Sequence, residues 1–322
     1  MTYFLIVAGF VLLLLGGEAV VRGSVSLAAR IGVSPLIVGL TIVGFGTSLP
    51  EMVVSVNAAL VGSPGLAIGN VVGSNIANTL LILGIAALIL PIAVHPNAVT
   101  RDTLCLAGAT VVFFLLGITG ELTWWEGVMM LGLLACYIGL TVWYDSASND
   151  AVAELHRDEA GEVGSIPLQT ISIICIVFTG LFAVVVGAQW LVEGATTLAR
   201  TFGVPEEVIG LTLVALGTSL PELATSIIAA YRGHPDVCVG NVIGSNIFNL
   251  FGIAGITAMF APLPFSDKII EFDLWIMVAV TVLLIPFMVT GLRMGRAAGI
   301  VFIALYCAYI AAQFLGMSGV AH

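Results

Sequence analysis

At 322 residues, with 60% hydrophobic side chains against 9% charged and a mean hydropathy of +1.16, the chain lies outside the range of soluble globular domains. Its formal net charge of −10, without a basic stripe, gives no reason to expect a nucleic acid partner. Apolar runs of about 18 to 30 residues suit helices that cross roughly 30 Å of hydrocarbon, and the lack of period-two alternation argues against a membrane β-barrel.

In chain order the apolar runs place spans at 3–29, 35–61, 66–90, 102–118 and 124–144, then at 167–199, 206–231, 237–261, 272–291 and 297–316. The first run has no basic leader, and its pattern continues past Gly16-Gly17-Glu18 to Ala29, so it reads as a retained span and not a cleaved signal. Trp124 and Trp125 open the fifth span as an interfacial belt would. After that span Asp145, Asp150, Glu154, Asp158, Glu159 and Glu162 face only Arg157, the composition of a solvated loop. The expected division is a five-helix unit over 1–144, an acidic linker over 145–166 and a second five-helix unit over 167–322. Cys105, Cys136, Cys175, Cys238 and Cys307 are scattered through apolar runs with no C-x-x-C and read as packing residues.

The stretch from Gly39 to Gly84 aligns with Gly210 to Gly255 at a constant offset of 171, with 25 of 46 positions identical, the polar ones included. Five spans per copy is an odd number, so the second copy enters the membrane from the opposite side. That is the inverted repeat of secondary transporters. Arg30, Arg101, Arg157, Arg232, Arg293 and Arg296 would share one side, and Arg200 and Lys268 the other. The positive-inside rule then predicts a multi-pass plasma (inner) membrane protein with both termini extracytoplasmic and the acidic linker in the cytoplasm.

Each copy carries a Gly and a Pro inside a span, at Gly46-Thr47-Ser48-Leu49-Pro50-Glu51 and Gly217-Thr218-Ser219-Leu220-Pro221-Glu222. Proline removes a backbone donor and clashes with the preceding turn, so the helix is expected to break there. Freed carbonyls at membrane depth are tolerated only inside protein or against a polar cavity. Glu51 and Glu222 follow directly, and no basic residue lies at a matching depth. Two such carboxylates can meet on the pseudo-two-fold axis and share a cation; their summed charge of −2 matches one divalent or two monovalent ions. On the next span of each copy Asn70, Ser74 and Asn78, and likewise Asn241, Ser245 and Asn249, repeat at i, i+4 and i+8 and make one face rich in oxygen. Oxygen ligands without His or Cys point to Ca²⁺ or Na⁺ and away from zinc or copper. Ser55, Ser226, Asn70 and Asn241 read equally well as helix-to-helix glue. Glu18 and Arg22, paired by the offset with Gln189 and Glu193, are further polar positions with a structural, gating or ion-path role.

GTSLPE followed by GN-V-x-GSN-x-x-N, present twice, resembles the cation/calcium exchanger superfamily and within it the prokaryotic sodium/calcium exchangers. The resemblance spans the chain. It implies an all-α membrane fold of ten transmembrane helices in two inverted five-helix repeats. Helices 2, 3, 7 and 8 would be broken around the ions, and helices 1 and 6 would slide across that core. Carried over residue by residue, the ligands fall on Thr47, Ser48, Glu51, Ser74 and Asn78, and on Thr218, Ser219, Glu222 and Ser245. Asn249 stands where several relatives carry Asp, which leaves the two Glu as the only acids of the set and opens the question of coupling ratio and K⁺ requirement. The implied activity is antiport of Na⁺ against Ca²⁺ through one shared site, with these ions as substrates, no cofactor, no enzyme chemistry and no obligatory protein partner. Ca²⁺/H⁺ exchange, K⁺-dependent exchange and a passive cation channel are the alternatives.

Overall fold

The computed structural model describes residues 1–93, 96–147, 169–202, 215–290 and 292–318. Beyond Ala147 the expected acidic linker lies outside the described residues, as does the first part of the span expected at 206–231. The described helices are α1 (Thr2–Ile31), α2 in two pieces (Pro35–Thr47 and Leu49–Leu60), α3 (Pro64–Ile89), α4 (Pro96–Gly117), α5 (Trp124–Ala147), α6 (Thr170–Thr201), α7 (Leu220–Tyr231, preceded by the turn Ala215–Gly217), α8 (Pro235–Phe260), α9 (Ile269–Val289) and α10 (Arg296–Ser318). Among the described residues eight helices are long and apolar enough to cross a membrane, or nine with the two pieces of α2 as one span.

The two copies build their turns alike. Gly62 and Gly233, related by the offset, take φ of 78° and 79°, the left-handed conformation that ends a helix cheaply only at glycine. The amides behind them reach back five residues, Ser63 N to Ala58 O and His234 N to Ala229 O, both at 2.8 Å. Pro64 and Pro235 then open the next helix, where a missing N–H costs nothing. Two matching helical hairpins result, α2–α3 and α7–α8.

Contacts between the copies exchange partners under the same offset, which is the signature of a two-fold axis. A Cβ on Gly9 would fall 2.7 Å from Gly187 O and one on Gly16 2.8 Å from Gly180 O, and Gly9 and Gly16 are the mates of Gly180 and Gly187. As residue numbers rise along α1 they fall along α6, so these mates run antiparallel and the copies are inverted. The same glycines let the two backbones touch, and α1 and α6 form one closely packed pair. At the ends of the bundle Leu122 pairs with Leu263 and Ile92 bridges to Met294. Thr110 Oγ1 and its own mate Thr281 Oγ1 lie 3.3 Å apart, on the axis.

The hairpin helices form the centre. α8 and α3 have 89% and 72% of their membrane-length stretches buried, against 17% to 39% for the other full-length helices. The expected break of helix 2 is present as a 41° bend. Helices 3 and 8 depart from expectation: each runs as one span and is locally widened to π geometry, at Asn78–Ile82 and Phe248–Ile253. No Pro or Gly interrupts α3 there, so its backbone can relax by one extra residue in a turn without losing its hydrogen-bonded path. The cysteines also differ, since Cys238 alone is buried and the other four lie on the exposed outer surface of the bundle.

Candidate ion site

The site begins with what proline does to the backbone. Pro50 has no N–H to offer the carbonyl of Gly46, and Pro221 has none for Gly217. Ser48 (φ −82°, ψ 5°) and Ser219 (φ −89°, ψ 7°) turn out of helical geometry, and a new helix starts at the following residue. Glu51 and Glu222 sit in the first turn of these new helices, where free amides and the helix dipole favour negative charge. They are 1% and 0% exposed.

The two breaks are stitched to each other across the axis. Ser48 Oγ donates to Glu222 Oε1 at 2.8 Å, and its mate Ser219 Oγ donates to Glu51 Oε1 at 3.2 Å. Each serine thus holds the other copy's carboxylate. On α3 and α8, Asn249 Nδ2 donates to Ser74 Oγ at 3.1 Å and Asn78 Nδ2 to Asn246 Oδ1 at 3.1 Å. Both amides therefore spend their N–H groups on protein and keep their oxygens.

Glu51 Oε2, Glu222 Oε2, Asn78 Oδ1 and Asn249 Oδ1 are all buried without a hydrogen-bond partner among the described residues. A buried unpartnered acceptor costs about 1–3 kcal/mol and a charged one more. Four oxygens of the repeated motifs, two of them carboxylate, share this condition, and their chemistry is that of ligands to a hard cation.

The remaining expected residues divide. Asn70 Nδ2 donates to Glu51 O at 3.2 Å and Ser55 Oγ at 3.0 Å, and Asn241 Nδ2 to Glu222 O at 3.3 Å and Ser226 Oγ at 3.0 Å. These four are brackets that clamp the glutamate-bearing helices to α3 and α8. Thr47 Oγ1 donates to Val43 O at 3.0 Å. Ser245 Oγ donates to Gly44 O at 3.0 Å, tying α8 to the first piece of α2. Thr218 is half-buried beside Ser219 at the second break. Sequence reasoning passed over Asn246, whose Nδ2 donates to Thr79 Oγ1 at 2.9 Å while its Oδ1 orients Asn78. The signal was present: Asn follows Ser in both GSN triplets.

The two ends of the site are lined by different described residues. A Cβ on Gly240 would fall 2.5 Å from Leu36 O, and Gly244 is packed as tightly on Leu40, so α2 closes this end. At the mates Gly69 and Gly73 nothing among the described residues lies within 4 Å, and both line a cavity of about 260 Å³ that reaches Ser74 and Ser219. Glu18 lies near the closed end: Arg232 Nε, at the end of α7, donates to its Oε2 at 2.8 Å, and Arg22 pairs with it from α1. Gln189 and Glu193, the offset mates on α6, are exposed.

A family profile described as sodium/calcium exchanger protein matches residues 1–143 and 172–315. The chain belongs to this sodium/calcium exchanger family. The sodium/calcium exchanger MaX1 of Methanosarcina acetivorans is 32% identical over 97% of this chain and 98% of its own length. The uncharacterized membrane protein MJ0091 of Methanocaldococcus jannaschii is 36% identical over 98% of each. Among solved structures, the sodium-calcium exchanger NCX_Mj soaked with 10 mM Na⁺ and zero Ca²⁺ superposes with a TM-score of 0.83 at 33% identity, covering 96% of this chain and 98% of that one. The exchanger fold and the twice-repeated GTSLPE motif therefore occur together over the whole chain.

Proposed function

We propose that the chain exchanges Na⁺ for Ca²⁺ by letting both ions compete for one site between Glu51 and Glu222. The observation that carries this reading is the set of four buried oxygens on Glu51, Glu222, Asn78 and Asn249 that have no hydrogen-bond partner among the described residues. Ser48 and Ser219 position the two carboxylates, and Thr47, Thr218, Ser74 and Ser245 complete an oxygen-lined surround. One Ca²⁺ or two Na⁺ balance the charge of −2. An empty site leaves that charge uncompensated, and sealing it away from water costs several kcal/mol per ion. The empty carrier therefore stays at one side, and transport takes the form of exchange and not leak.

Alternating access follows from the inverted repeat: the closed and accessible ends trade roles when the α1–α6 pair shifts across the core. The Glu18–Arg232 pair holds α1 to α7 at the closed end. In this reading the closed end is cytoplasmic, both termini are extracytoplasmic, and the two units flank the acidic linker over 145–166 in the inner membrane. The test is equilibrium ⁴⁵Ca²⁺ binding to the purified protein against rising Na⁺. Competitive displacement supports a shared site, whereas Na⁺-insensitive binding contradicts it.

A further inference from the structure

The cavity that leads to the central site has a carboxylate of its own, Asp273, at the outset of α9. It is 7% exposed. Tyr309 Oη donates to its Oδ1 at 3.0 Å and Gln313 Nε2 donates to the same oxygen, so the other oxygen, Oδ2, accepts no hydrogen bond among the described residues. Lys268 lines the cavity as well, but it is exposed and makes no ion pair with Asp273 among the described residues.

The repeat supplies the comparison that gives this carboxylate meaning. Its mate is Asp102, which is fully buried and neutralised: Arg101 Nη2 reaches both oxygens at 2.9 and 3.0 Å, and Tyr137 Oη donates to Oδ1 at 3.3 Å. Both copies therefore keep an Asp held by a Tyr from the following helix. Only the first copy supplies a counter-charge bonded to the carboxylate, because the mate of Arg101 is Phe272; in the second copy the nearby cation is Lys268, exposed in the cavity lining and not ion-paired with Asp273 among the described residues. In the second copy the charge faces a water-accessible cavity whose inner end is formed by Ser74 and Ser219, the residues that hold Asn249 and Glu51. A buried carboxylate left without a bonded counter-charge is stabilised by a mobile cation.

We propose that Asp273, with the Tyr309 hydroxyl and the Gln313 amide oxygen, is a second cation station in the access cavity, which takes a partly hydrated Na⁺ or Ca²⁺ before it reaches Glu51 and Glu222. The proposal rests on the reading of the central site as the ion site. Focusing of one negative charge in a narrow cleft raises the local cation concentration by roughly tenfold or more. Asp273→Asn leaves Oδ1 to accept from Tyr309 and Gln313, removes the charge and replaces Oδ2 by an amide NH2. Phe272→Arg places a guanidinium beside Asp273 as Arg101 stands beside Asp102, neutralising the station at the loss of the ring stacking of Phe272 on Tyr309.

Two measurements test the station. In proteoliposomes, Asp273→Asn and Phe272→Arg should each raise the apparent KM for Ca²⁺ about tenfold on the cavity side, leave KM on the other side unchanged and leave kcat intact, with Asp273→Glu near wild type. An unchanged KM, equal changes on both sides, or a fall in kcat alone would assign Asp273 to packing and overturn the proposal. Independently of the central site, Tb³⁺ added to the Glu51→Gln/Glu222→Gln double variant should give saturable, tyrosine-sensitised emission through Tyr309, lost when Asp273→Asn is added. Emission indifferent to Asp273 sinks the station, whereas failure of wild-type Ca²⁺ transport with Asp273-dependent emission retained sinks only the reading of the central site.

Discussion

Glu51 and Glu222 each keep one oxygen on a serine of the opposite copy and one without a partner among the described residues. Glu51→Gln or Glu222→Gln halves the site's charge and replaces a carboxylate ligand by an amide. Since loss of an outer-shell partner already costs about 10–100-fold in metal affinity, loss of this ligand should weaken ⁴⁵Ca²⁺ binding by more than about 100-fold. Binding within a few-fold of wild type would remove these residues from the site. Asn249→Asp acts in the opposite sense. It adds a charge next to Ser74, and it should raise Na⁺ affinity or change the number of Na⁺ moved per Ca²⁺, read from ²²Na⁺ and ⁴⁵Ca²⁺ fluxes on one preparation. The carboxylates were legible because an acid after a proline inside an apolar run has few structural uses. The part played by Asn246 was not, because an amide that orients another amide looks like any helix-to-helix contact. Asp273 escaped notice because it falls at a span end, where a carboxylate reads as interfacial.

The elements carry the movement, and two contacts bear on it. Gly16 and Gly180 bring α1 and α6 into backbone contact, and Val at Gly16 would meet Gly180 O and Val184. Gly16→Val should cost about 1–3 kcal/mol of overpacking, seen as a lower unfolding temperature in detergent; unaltered stability would show that the pair is not tightly packed. Arg232→Gln releases Glu18 at the closed end. Exposed ion pairs are worth up to about 1 kcal/mol, so opening there should rise up to about fivefold. Cys238, fully buried at that end, reports it. In a background with Cys105, Cys136, Cys175 and Cys307 replaced, its labelling by a water-soluble maleimide should rise with Arg232→Gln, and an unchanged rate would dismiss the pair as a latch. The bend of α2 could be read ahead because Pro50 dictates it. The π turns at Asn78 and Phe248 could not, because a widened turn depends on what packs around it and leaves no fixed residue type behind.

For the whole molecule, the offset of 171 seen in the sequence returns as partner exchange in space: Ser48 with Glu222 and Ser219 with Glu51, Gly9 with Gly187 and Gly16 with Gly180. The symmetry of the fold was therefore readable from one chain. Its departures were not, since Arg101 against Phe272 is a difference between the copies that an alignment of identities passes over. The central claim is that Na⁺ and Ca²⁺ use the Glu51–Glu222 site in turn. It is tested most directly by ⁴⁵Ca²⁺ uptake into proteoliposomes driven by a Na⁺ gradient, with pH clamped and K⁺ absent. The account predicts uptake that requires the Na⁺ gradient and disappears in Glu51→Gln and Glu222→Gln; uptake that ignores Na⁺, or survives either substitution, would contradict it.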